Sequence, residues 1–231
     1  LLNCKNDFPI FNNQDAIYLD TASTSQKPQS VINSMIEFYQ GYNSNVHRGL
    51  YPWAEKATFM YESARNKIAN HINAKNENLV FTKGSTESIN FISSSWAENN
   101  INKNNNIVIT EMEHHSNIIP WQILSQKTGA ELRYIPISDS GELILDNIDM
   151  IIDNNTKIVS IIHQSNVFGT INPIDIIIKK AHNHSARVLI DAAQSIAHQK
   201  IDVQNMNCDF LVFSGHKILG PTGIGCLYIK E

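Results

Sequence analysis

Short apolar runs alternate with helix-spaced stretches over most of this chain, and that alternation limits the folds open to it. The runs are Leu79–Thr82, Ile107–Thr110, Leu132–Ile135, Ile158–His163, Val188–Asp191, Phe210–Ser214 and Gly225–Ile229. Between most of them lie helical stretches, among them Ser85–Trp96, Ile118–Gln126 and Ile174–Ala181. Upstream, Val31, Ile32, Met35, Ile36 and Tyr39 recur at helical spacing. So do Trp53, Ala57, Met60, Ala64, Ile68 and Ile72, with Pro52 suited to a first turn. Strand alternating with helix predicts an α/β fold, a mainly parallel sheet with helices on both faces. Such sheets collect ligands beyond the carboxyl ends of their strands. The polar residues that follow each run are therefore where function is to be sought.

Bulk composition narrows the classes. The 231 residues suit one large domain, and 42% hydrophobic with 17% charged residues supply a real core. A formal charge of −4 gives no electrostatic case for nucleic acid or an anionic membrane. No apolar run approaches the ~20 residues of a membrane helix, and no basic-then-apolar leader opens the chain. It begins on Leu1 rather than Met, which reads as processing or as part of a longer chain. Asn clusters such as 102–106 read as solvated loops. The three cysteines, Cys4, Cys208 and Cys226, are odd in number and widely spaced. They form no disulfide or zinc framework and fit a reducing, cytoplasmic setting. Cys208 and Cys226 sit in apolar runs and read as inert core thiols.

Five motifs follow the runs. In Phe81–Ser88 a strand ends, Gly84 turns, and a helix opens on Ser85 and Thr86. Helix N-termini bind anions, so this end suits a phosphate, or the hydroxyls are ordinary caps. In Glu111–Asn117, His114 and His115 are adjacent, so at most one faces a given site, where its ring could stack on an aromatic cofactor. Surface histidines are the plain alternative, and His182 and His184 read as exposed helix-end residues. Asn166, before Gly169, offers a donor and an acceptor at a strand end, or is simply a turn residue. Asp191 closes the run Val188–Asp191 with Gln194 beyond it, and a helix cap is the alternative. Last, Ser214-Gly215-His216-Lys217 places an amine after a buried-looking strand and before the turn Gly220–Gly223. A lysine and a carboxylate on neighbouring strand ends are what a pyridoxal phosphate site needs. The lysine forms a Schiff base, and the carboxylate holds the ring nitrogen protonated.

Taken in order, these segments resemble the group II (SufS/CsdA-like) cysteine desulfurases, fold-type I pyridoxal phosphate enzymes of the class V aminotransferase group. The resemblance rests on Tyr18–Ser23 with Ser25–Pro28, Asn45–Gly49, Phe81–Glu87, Glu113–Trp121, Ser165–Pro173, Asp191–Gln194 and Cys208–Tyr228. It implies a pyridoxal 5'-phosphate cofactor with Lys217 as Schiff-base lysine, Asp191 at the ring nitrogen and Gln194 at the ring oxygen. His114 is implied as the stacked ring and a catalytic proton relay. Ser85, Thr86, Ser214 and His216 are implied as the phosphate cradle, and Asn166 as a contact to the substrate carboxylate. His47 and Arg48 match a loop at the substrate entrance. No metal site is implied. The implied reaction removes sulfur from L-cysteine, giving L-alanine and an enzyme persulfide that passes to an acceptor protein for iron–sulfur cluster assembly. Selenocysteine lyase, acting on L-selenocysteine, or another class V enzyme is the alternative. The family forms a homodimer.

The family's nucleophilic cysteine, its substrate-clamping arginine and its small C-terminal domain match nothing here. The chain thus reads as an N-terminal arm over 1–15 and a large cofactor-binding domain over 16–231 that is incomplete at its C-terminal end. A fragment of a normal enzyme is the favoured expectation. A truncated, inactive remnant or interaction module is the other. In either case the isolated 231 residues are expected to be inactive.

Overall fold

The computed structural model describes residues 4–12 and 17–231. Of the expected arm, only 4–12 fall within this range, as two short 3-10 turns, Lys5–Asp7 and Pro9–Phe11. Its junction with the large domain at 15/16 lies outside the described residues.

All seven apolar runs are strands: β1 Leu79–Thr82, β2 Asn106–Thr110, β3 Glu131–Ile135, β4 Thr156–Ile162, β5 Arg187–Asp191, β6 Phe210–Ser214 and β7 Gly225–Ile229. They form one sheet in the order β1-β7-β6-β5-β4-β2-β3. The pairs from β6 through β5, β4 and β2 to β3 are parallel. β7 alone runs against both of its neighbours. β1 therefore runs the same way as β6, and six strands end on one edge. The helices are α1 Gln29–Glu37, α2 Pro52–His71, α3 Ser85–Ile92, α4 Glu98–Asn100, α5 Ile119–Thr128, α6 Ile148–Ile151, α7 Ile174–Asn183 and α8 Val203–Met206. The expected helix 85–96 is continuous, running through α3, a π-helical segment over Ser93–Ala97 and α4 with helical backbone angles at each junction.

Two apolar layers sandwich the sheet, sorted by the two-residue alternation of strand side chains. Val188, Ile190, Leu211 and Phe213 join α7 residues such as Ile177 and Ile178 on one face. Leu189, Phe210 and Val212 join Ile89 and Ile92 of α3 and Trp121 of α5 on the other. The same alternation carries Asp191 and Ser214 to the α3/α5 face, since each lies an even number of residues from Leu189 or Val212. Among the described residues no helix is long and apolar enough to cross a membrane.

Helical spacing was readable in α1 and α2, but it did not mark burial there. α1 buries no residue, and Met35, Ile36, Trp53 and Met60 stand exposed. Ala57 and Ile72 are buried.

Candidate active site

The common edge of the six strands holds a cavity of about 310 Å³. Nine of the residues singled out in the sequence line it: Ser85 and Thr86 from α3, His114 after β2, Asn166 after β4, Asp191 and Gln194 after β5, and Ser214, His216 and Lys217 at the end of β6. His47 and Arg48 do not. Both are exposed ahead of α2, where the His47 ring meets Glu62 at 2.7 Å and its backbone N–H donates to Thr58 Oγ1 at 2.8 Å. His115 also stays off the wall, as the opposed directions of adjacent side chains require; the two imidazoles are nearly perpendicular, at 86°.

At the β1–α3 junction Gly84, not a hydroxyl residue, is the N-cap, with φ 155°. The Ser85 hydroxyl is therefore free of capping and meets Ser214 Oγ at 3.0 Å, while the Ser85 N–H donates to the same oxygen at 2.9 Å. Close approach makes this possible. A Cβ on Gly225 would stand 2.4 Å from Gly84 Cα, and one on Gly84 would crowd Ser214 Oγ at 3.2 Å. Hydroxyls and first-turn N–H groups at a helix N-terminus are a phosphate cradle by chemistry as well as by charge.

Asp191 is 2% exposed. One of its carboxyl oxygens accepts from Ala193 N–H at 2.9 Å, so it does cap the following turn as well as facing the cavity. Burial pushes its pKa up, against the Ala193 N–H and the charges of Lys217 and His114. A buried carboxyl held by one protein donor is costly unless a cation completes it. A protonated pyridine nitrogen is such a cation. The Gln194 amide donates to the Ala22 carbonyl at 2.7 Å, tying the N-terminal segment to this wall.

Lys217 ends a 3-10 turn, Gly215–Lys217, and is half-buried. Burial lowers its pKa, and the Asp191 charge opposes the fall. The His114 imidazole is likewise held low by burial and then by Lys217. Its Nδ1 accepts from the Ser116 N–H at 3.2 Å, which leaves the proton of the neutral ring on Nε2. His216 is lowered by burial and by the charges of Lys217 and Lys27.

Sequence reasoning missed what holds this turn in place. The His216 carbonyl accepts from Ser25 N–H at 2.9 Å, Ser25 Oγ at 2.9 Å and Lys27 Nζ at 3.0 Å. Ser25 Oγ in turn accepts from Leu219 N–H at 2.8 Å. Segment 22–27 thus straps the lysine turn from some 190 positions away in the chain. The signal was present in Ser25-Gln26-Lys27-Pro28, but nothing local says what it touches. One other reading shifts, and the reading of Cys208 and Cys226 as core thiols holds. His182 is not simply exposed, since it bonds Asp209, itself 3% exposed, at 2.9 Å. Cys208 and Cys226 are buried, and burial pushes each thiol up to about 12.

Known proteins share this sequence and this fold. The family model described as aminotransferase class-V matches residues 17–231. A protein of Wigglesworthia glossinidia brevipalpis named cysteine desulfurase is 51% identical over 98% of this chain and 57% of its own length. One of Halalkalibacterium halodurans, named probable cysteine desulfurase, is 49% identical over 97% of this chain and 56% of its own. Among solved structures, the apo cysteine desulfurase of Thermococcus onnurineus superposes with a TM-score of 0.92 at 40% identity, over 98% of this chain and 56% of that one. The cysteine desulfurase CsdA of Escherichia coli gives 0.89 at 36%, over 97% and 56%. The chain therefore spans a little over half the length of the relatives it matches.

Proposed function

The chain belongs to the class-V aminotransferase family, and from that premise we propose that its cavity holds pyridoxal 5'-phosphate and serves the removal of sulfur from L-cysteine. The observation that carries this reading is the meeting of Lys217, buried Asp191, His114 and the Ser85/Ser214 cradle in one cavity. Their chemistry fits the cofactor at both ends, phosphate and ring nitrogen. When bound, it supplies an electron sink for charge developing at the substrate Cα.

The protein's own residues do the rest. Lys217 would hold the cofactor, and its amine, whose pKa burial has lowered, is suited to move a proton at the substrate Cα. Asp191 keeps the ring nitrogen protonated. Thr86, Ser85, Ser214 and His216 hold the phosphate. His114, on the cavity wall, would hold the cofactor ring and could relay a proton. Asn166 faces the substrate carboxylate, while for His47 and Arg48, off the cavity wall, a place near the substrate rests on the family resemblance alone. The products are L-alanine and a persulfide on a protein cysteine, whose sulfur passes to an acceptor protein for iron–sulfur cluster assembly. The exposed apolar residues of α1 and α2 support the homodimer expected of the family.

None of Cys4, Cys208 and Cys226 lines the cavity, and burial of the last two pushes each thiol up to about 12, so none is placed to act as the nucleophile. The 231 residues alone are thus proposed to bind cofactor and L-cysteine without sustained turnover. The test is to titrate the cofactor-loaded chain with L-cysteine, following its visible spectrum and any alanine released. A spectral shift without continuing alanine release is expected. No spectral response to L-cysteine would contradict the substrate assignment, and steady alanine release would contradict the predicted inactivity.

A further inference from the structure

Behind His114 lies a polar network that the reading above does not use. Glu113 is 7% exposed and Asn117 is fully buried, although His114 between them is open to the cavity. Three donors converge on the Glu113 carboxyl. Thr110 Oγ1 and the Ile162 N–H reach Oε1 at 2.6 and 2.9 Å, and the Asn117 amide reaches Oε2 at 2.6 Å. The direction of the last bond is fixed from further back. The Trp121 indole N–H only donates, and it reaches Asn117 Oδ1 at 2.9 Å. Ser160 Oγ donates to the same oxygen at 2.6 Å. The Asn117 amide nitrogen is therefore obliged to face Glu113. The Asn117 backbone N–H donates to the His114 carbonyl at 2.7 Å, which closes the loop around the imidazole.

We propose that Glu113 is a positioning residue, whose ionised carboxyl fixes the 113–117 turn between β2 and β4 so that the His114 ring is held at one orientation over the cavity. The proposal deepens the pyridoxal phosphate reading and rests on it for its consequence. Its structural logic is that every neighbour of the carboxyl is a donor. A protonated acid or a glutamine amide would bring a further donor, which only the Thr110 hydroxyl, turned to accept, could receive, while the Ile162 N–H and the Asn117 amide can only donate there. The charged group facing Glu113 from β5 is Asp191, which together with burial favours the protonated form. The network is thus poised, with the carboxyl pushed up to about 8 by burial against its three donors.

The experiment compares the wild-type chain with Glu113→Gln, first without cofactor and then loaded with pyridoxal 5'-phosphate. Without cofactor, NMR of the His114 imidazole reports its tautomer and order. Well above pH 8 the wild type should show one Nε2-protonated form, and the variant an average of forms. As pH falls through about 8 the wild-type signals should move to those of the variant, while the variant should not titrate there. Exchange of the Ile162 amide should quicken about tenfold in the variant, as a charged carboxylate acceptor gives way to a neutral amide oxygen. In the loaded protein the visible circular dichroism should weaken by the same pH course, with borohydride still trapping the cofactor on Lys217. Should Glu113→Gln not fold, Thr110→Val removes one of the three donors to the carboxyl and should raise the pH at which the His114 signals change. Identical His114 signals in wild type and variant at all pH values would overturn the proposal. A cofactor that fails to attach to Lys217 would overturn the reading beneath it, and the cofactor-free His114 signals would still decide the role of Glu113.

Discussion

Asp191 and Lys217 define each other's chemistry. Burial raises the acid and lowers the amine, and each charge opposes the other's shift. Asp191→Asn should keep the cap on Ala193 through its amide oxygen while losing the charge. Cofactor affinity, measured by absorbance titration, should fall by about 1.5–3 kcal/mol, the worth of a hydrogen bond to a charged group, roughly ten- to hundredfold. The pH course of cofactor capture follows from the lowered amine. Only the uncharged amine attacks, so stopped-flow capture rates should rise with pH and reach half their plateau below the ordinary lysine value of 10.5. In Asp191→Asn that midpoint should move lower still, because the opposing carboxylate charge is gone. A midpoint unmoved or raised by the substitution would contradict the coupling.

The elements explain why these side chains meet. Strand alternation puts Asp191 and Ser214 on one face, and the parallel order brings the ends of β1, β2, β4, β5 and β6 to one edge. Much of that was legible in the sequence, because apolar runs followed by polar residues mark strand ends without help from the rest of the fold. The reversal of β7 was less so. Its sense depends on a turn at Gly220–Gly223, and a strand's residues look alike in either direction. The strap of segment 22–27 was not legible at all, since its contacts join residues far apart in the chain. Ser25, 3% exposed, carries this strap. Ser25→Ala leaves the Leu219 N–H without its partner and removes one donor from the His216 carbonyl. Stability, measured by denaturant midpoint, should drop by about 1–3 kcal/mol, and capture by Lys217 should slow because its turn is loosened. A variant with wild-type stability and capture rate would show that the strap does not hold the turn.

At the scale of the whole molecule, a seven-stranded sheet with apolar layers on both faces makes a rigid platform, and its one polar edge is where the family resemblance and the geometry coincide. Burial was the least legible property at this scale. Helical spacing marks a face, but whether that face is covered depends on what packs on it, as the exposed Met35, Ile36, Trp53 and Met60 show. The proposed function requires that this platform present Lys217 to pyridoxal 5'-phosphate. The most direct measurement is to load the purified chain with the cofactor, reduce with borohydride, digest, and locate the added mass. The expected result is the cofactor on the peptide containing Lys217, and none on that peptide in Lys217→Ala. Label on another lysine, or undiminished label in Lys217→Ala, would contradict it.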